Sequence, residues 1–156
     1  MGSLNTNRYT KMTSAALPDP VLQSEFYADT PMKRLFAWII DMILISVLCV
    51  ALLPFTAFTG IFFFPFLILV IGFMYRVVTL ANGSATLGMR LLAIEFRNAD
   101  GSKFNLGNAF LHTLGYSVSM AAPLLQMISV VLMLTTERKQ GLTDLVLGTV
   151  LINRPA

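Results

Sequence analysis

The sequence predicts an all-α membrane protein with about three transmembrane helices and a small cytoplasmic strand/turn element. Of its 156 residues, 56% are hydrophobic and only 12% are charged, whereas charged residues make up about a quarter of a soluble globular domain. Mean hydropathy is +0.73. The apolar residues fall into runs close to the ~20 residues that a bilayer-spanning helix needs. A large extramembrane catalytic domain is excluded, because the spans use up most of the chain.

Residues 1–30 are polar and mixed in charge, with Pro18 and Pro20 and no helical apolar stripe. They predict a disordered cytoplasmic tail ahead of a membrane domain over residues 31–156. A secretory signal would put a short apolar core near the N-terminus, but the first run here begins only at Leu35 and is too long, so the chain is expected to keep its N-terminus.

Residues 35–53 hold one charge, Asp41, and follow Pro31, Lys33 and Arg34, which suits the start of a first spanning helix. The uncharged break Pro54 to Gly60 leads to a second run over 61–80, rich in phenylalanine and interrupted by Pro65 and Arg76. Phe62, Phe63, Phe64, Phe66 and Phe73 read as lipid-facing or packing bulk. So short a connection predicts an antiparallel hairpin with both charged ends on one side. Lys33, Arg34, Arg76 and Arg90 collect there, and the positive-inside rule makes that side cytoplasmic.

After a turn-like segment at 81–86, Leu92, Ile94 and Phe96 alternate with Ala93, Glu95 and Arg97, the period of a strand. Asn98 to Gly101 is a turn sequence, and Lys103, Phe104 and Leu106 suit a returning partner strand. An amphipathic interfacial helix over 86–96 is the rival reading.

Residues 109–135 form a third apolar run with His112 near its start, Pro123 in its middle, and Gly115 and Ser119 spaced for close helix contact. A single span kinked at Pro123 is favoured over a bent, re-entrant path. The single crossing would nevertheless carry Arg138, Lys139 and Arg154 to the wrong face. In the tail, Val150 and Ile152 alternate as a strand would.

Asp41 is the residue most in need of explanation, since a carboxylate at the centre of a span costs about 3 kcal/mol on insertion scales. In an antiparallel hairpin Arg76 lies at nearly the same depth, which predicts an intramembrane Asp41 to Arg76 ion pair. Arg138, Lys139 or protonation are the alternatives. The pair reads either as a charge-neutral lock on helix register or as a proton or cation site. His112 reads as a satisfied interfacial side chain rather than a proton relay, and Asp144, after Gly-Leu-Thr, reads as a helix cap. Cys49, the one cysteine, reads as a small buried hydrophobe. No phosphate loop, paired histidines or nucleophile with a base is evident, and Asn98 to Gly101 is too short for a calcium loop. The sequence therefore predicts no enzyme, no cofactor and no metal site. The net charge of +3 is spread around apolar segments rather than on a basic face, which argues against nucleic acid as a partner.

The run Arg34-Leu-Phe-Ala-Trp-Ile-Ile-Asp41 resembles the opening motif of the RDD family of small bacterial membrane proteins, named for an arginine and two aspartates. Gly83-Ser-Ala-Thr-Leu-Gly88-Met-Arg90, leading to Asp100-Gly101, is similar to the family's segment after the second span. Gln140-Gly-Leu-Thr-Asp144 with Gly148-Thr149-Val150 is similar to its C-terminal signature. The departure is Met89, where many relatives carry lysine. The resemblance makes Arg34, Asp41 and Asp144 the named positions. Some members are implicated in sodium/proton antiport, so it implies a multi-pass protein of the bacterial inner membrane with its N-terminus in the cytoplasm. It would couple a monovalent cation to protons through Asp41, as a homo-oligomer or with a membrane partner. If Asp144 works with Asp41, the two strand-like segments would form one cap over that site. The alternative function is a non-transporting adaptor or assembly factor whose buried charges specify helix pairing.

Overall fold

Helix α1, Thr30–Leu52, starts after Asp29 in a left-handed conformation, with Pro31 in its first turn, where no intrahelical N–H partner is needed. A computed structural model describes residues 17–154. Short 3-10 turns at Leu53–Thr56 and Thr59–Ile61 lead into helix α2, Phe64–Gly83, again with a proline in its first turn. Tyr75 bonds Asp41, and Gly72 lies against Ile45. Rising positions on one helix thus meet falling positions on the other, and the hairpin is antiparallel. Both helices are long and apolar enough to cross a membrane.

Helix α3, Leu87–Leu91, is a single short turn begun by Thr86, whose hydroxyl accepts the Met89 N–H. Strand β1, Ile94–Arg97, follows it directly. Helices α4, Leu106–Ala121, and α5, Pro123–Thr135, come next, then α6, Leu142–Leu147, and strand β2, Val150–Asn153.

β1 pairs antiparallel with β2, Phe96 opposite Leu151 and Glu95 opposite Ile152. The expected return strand at 103–106 is therefore corrected: Phe104 enters the core instead, stacked on Phe96 with ring centroids 5.3 Å apart. The Phe104 N–H is taken by the Ser84 hydroxyl at 2.6 Å rather than by a neighbouring strand. The rival interfacial helix over 86–96 is realised only in its first turn.

The strands, α3 and α6 form one cap across the end of the helices where α1 begins. Ile94, Phe96, Leu151, Leu80, Met89 and Ala37 share its core. A second small cluster joins Tyr27 to Val150 and Ile152. Tyr27 also donates to the Pro18 carbonyl at 2.8 Å. The expected disordered tail is thus corrected over 17–30, which fold against the cap, while residues 1–16 lie outside the described residues.

The third apolar run is not a kinked rod. Ala122 is extended ahead of Pro123, and α4 and α5 are bent by 116°. Phe104 lies in the cap just before α4, and after α5 the Gln140 amide donates to the Thr149 carbonyl in the cap at 2.8 Å. The chain leaves the cap and returns to it, and the break expected at Pro123 is a sharp bend between two helices rather than a slight kink. The proline lacks the N–H that would continue the ladder, and a bend this sharp is tolerated where the freed groups are covered by protein. Among the described residues there are two helices able to cross, or three if the bent pair is counted as one span.

Candidate functional site

Seven residues along α1 from Arg34, Asp41 faces α2 and α3 and is 2% exposed. Its Oδ1 accepts from the Tyr75 hydroxyl at 2.6 Å and the Gly88 N–H at 2.9 Å, and its Oδ2 accepts from the Thr86 hydroxyl at 2.5 Å. All three donors are uncharged. The close approach needs glycine at position 88: a Cβ there would sit 2.3 Å from the Ala37 carbonyl oxygen and 2.9 Å from Asp41 Oδ1. Thr86 serves twice, capping α3 and holding the carboxylate.

The expected Asp41 to Arg76 ion pair is corrected. Among the described residues neither side chain forms an ion pair, and the Arg76 guanidinium instead lies over the Tyr116 ring, 3.9 Å from its centroid. Equal depth does not fix direction around a helix. Tyr75 faces Asp41, and the next residue of a 3.6-residue turn points about 100° away, here toward α4. Tyr116 is itself held by the Trp38 indole N–H at 2.7 Å. Arg76 is 7% exposed, and its Nε has no hydrogen-bond partner among the described residues.

Asp144 is built differently. It stands in the first turn of α6, where it accepts the Gly141 N–H at 3.0 Å, as a cap would. It also receives the Arg34 guanidinium at 2.7 Å, His112 Nε2 at 2.8 Å and the Thr149 hydroxyl at 3.1 Å. Burial by itself would raise this carboxyl, but the Arg34 guanidinium and His112 more than offset it and hold Asp144 well below the usual carboxylate range. The guanidinium of Arg34 also lies over the Phe96 ring, 5.1 Å from its centroid. Gly115 lets α6 approach α4, since a Cβ there would meet Thr143 at 2.6 Å.

Arg34 and Asp144 are therefore brought together, and Asp41 is held apart from them on its own donors. All three, with Arg76 and His112, line one cavity of about 410 Å³ bounded by α1, α4, α5 and α6. The sequence reading passed over Tyr75, Thr86, Gly88 and Tyr116. The Gly83 to Arg90 segment contained Thr86 and Gly88, but nothing local to it signals that they turn toward Asp41. His112 is satisfied by Asp144: it is buried, bonded to that carboxylate, with its ring centroid 4.3 Å from that of Phe96. Among the described residues no group of three His, Cys, Asp or Glu side chains is placed to hold a metal ion.

The sequence profile described as the RDD family matches residues 28–148, most of the chain, so the protein belongs to the RDD family. No curated protein matches it, and no solved structure does.

Proposed function

We propose that this RDD family member is a multi-pass inner-membrane transport protein that exchanges a proton for a monovalent cation at Asp41. The observation that carries the reading is the donor set around that carboxylate. The Tyr75 hydroxyl lies 2.6 Å from Asp41 Oδ1 and the Thr86 hydroxyl 2.5 Å from Asp41 Oδ2, which gathers four oxygen atoms beside the cavity. Hard cations are held by oxygen atoms of this kind, and an intramembrane carboxylate otherwise costs free energy that a structural role alone does not require. When Asp41 takes up a proton, the hydroxyl that faces the protonated oxygen turns from donor to acceptor without moving its oxygen, and the other goes on donating.

The orientation follows from charge. With α4 and α5 bent back, Arg154 and Lys139 lie on the side that holds Lys33, Arg34 and Arg90, which the positive-inside rule assigns to the cytoplasm. The N-terminus, the cap and the C-terminal strand are then cytoplasmic. So few spans enclose no pathway alone, and transport implies a homo-oligomer or a membrane partner. The proposed role involves no covalent chemistry.

Purified protein in liposomes loaded with a pH-sensitive dye tests this under sodium, potassium and lithium gradients. The wild type is expected to give a cation-driven pH change that Asp41→Asn loses while it remains monodisperse with unchanged Trp38 fluorescence. No flux from the wild type, at several oligomers per vesicle, overturns the transport reading and leaves the adaptor.

A further inference from the structure

Arg76 carries a charge that no contact among the described residues neutralises. A guanidinium stays protonated in proteins, and a buried cation without a counter-ion is costly. Asp41, the carboxylate at matching depth, is already filled by Tyr75, Thr86 and Gly88. Stacking on Tyr116 satisfies one face of the Arg76 guanidinium plane but none of its in-plane N–H donors, and Nε is buried without a partner. Arg34 in the same cavity is taken by Asp144.

Beyond these polar groups the cavity wall is mostly apolar, with Trp38, Met120, Val130 and Met133 along it. Its volume of about 410 Å³ falls in the ~300–1,000 Å³ range of small-molecule sites. Helices α1 and α5 make no substantial packing contact with each other. Between them Met32 and Leu134 stand 54% and 61% exposed, leaving an apolar portal at the side of the helices.

We propose that this cavity binds a single-chain anionic amphiphile drawn from the membrane, a long-chain carboxylate, with its head on Arg76 and its tail running past Met120 and Met133 toward the gap between α1 and α5. A planar carboxylate matches the fork of guanidinium donors. The apolar wall and side portal suit one chain arriving from lipid. The proposal deepens the transport reading and rests on it only for what the bound molecule is for: cargo, beside a coupling site at Asp41. The binding itself stands on the geometry.

The single tryptophan of the chain, Trp38, lines the cavity and reports occupancy. The full-length protein in nanodiscs of zwitterionic phosphatidylcholine is titrated with dodecanoate brominated in mid-chain, and separately with its methyl ester. The acid should quench Trp38 saturably, and the ester should bind about tenfold more weakly, as should Arg76→Gln with the acid, the loss expected when a charged hydrogen bond is removed. Arg76→Lys should recover part of the difference. Equal, non-saturating quenching by acid and ester overturns the proposal. So does displacement of the brominated acid by acetate at the same concentration, which would mean a site for small free anions. Absence of quenching together with disulfide crosslinking of Met32→Cys to Leu134→Cys between chains also overturns it, since a second copy would then fill the gap. If Arg76→Gln does not fold, the acid and ester comparison on the wild type decides alone. Binding without cation-driven flux keeps the site and removes the transport reading, and flux without binding removes the cargo and keeps Asp41.

Discussion

Asp41 and Asp144 lie on one cavity, each almost without exposure, yet opposite kinds of donor hold them. Asp144 is met by a guanidinium, an imidazole, a hydroxyl and a backbone N–H, which join α1, α4 and the chain flanking α6. Asp41 is met by two hydroxyls and a backbone N–H. A carboxylate paired with a fixed cation cannot give up its charge without stranding that cation. One held by hydroxyls can, because a hydroxyl donates or accepts with equal ease. The first arrangement is a lock on the fold, and the second is, on the proposed transport reading, the place where charge changes.

The largest effect should come from breaking the lock. Asp144→Asn leaves the half-buried Arg34 guanidinium without its counter-ion, and removing one partner of a largely buried pair costs about 3 kcal/mol. Unfolding of the detergent-solubilised protein by graded denaturant should show that loss, and Arg34→Gln a similar one. Gly88→Ala comes next. Its Cβ would meet the Ala37 carbonyl oxygen at 2.3 Å, and overpacking of this kind costs about 2 kcal/mol. It should also displace the N–H that Asp41 accepts, so the variant is expected to lose both stability and flux. Asp41→Asn should cost only about 1 kcal/mol, the worth of an ordinary hydrogen bond, because the hydroxyls around it can reorient. Its flux should nevertheless vanish, a separation of function from stability that Asp144→Asn should not show.

The smallest effect is in pH. The folded value of Asp144 lies below the ordinary value, so the stability it contributes is fully present above the ordinary value of about 3.9 and is lost as pH falls through the folded value. The Asp144 carboxyl itself should therefore add no pH dependence from about pH 8 to about pH 5, where its neighbour His112 is the group of the lock that can titrate. A decline within that window that persists in His112→Gln and that Asp144→Asn removes would contradict the account.

How far the sequence revealed this arrangement depended on the range of the signal. Helices α1 and α2 were legible because a bilayer demands a long apolar run, and the runs around Asp41 and Arg76 are of that kind. Both strands were legible from alternation at Ile94 to Phe96 and Val150 to Ile152. Their pairing was not encoded locally: the resemblance alone suggested one cap, while the nearby Asn98 to Gly101 turn suggested a closer partner. Helix depth follows from counting residues, but direction around the axis depends on which neighbour each face meets. For that reason Arg76 was assigned to Asp41, while Tyr75, one position earlier, makes the contact. Pro123 signalled a break, but nothing local to it signalled the angle, which brings Gln140 back to Thr149 in the cap. The partner of His112 was not legible because Asp144 lies thirty-two positions away.

Infrared difference spectroscopy reads the carboxyl groups themselves and so tests the contrast between them most directly. Spectra of the purified protein in lipid, taken along a pH titration with and without sodium, should contain a protonated-carboxyl band that sodium suppresses. That band should be absent in Asp41→Asn and retained in Asp144→Asn that has kept its fold. A titrating, sodium-sensitive band that survives in Asp41→Asn, or no sodium-sensitive carboxyl band at all, would contradict the assignment of Asp41 as the group whose charge changes.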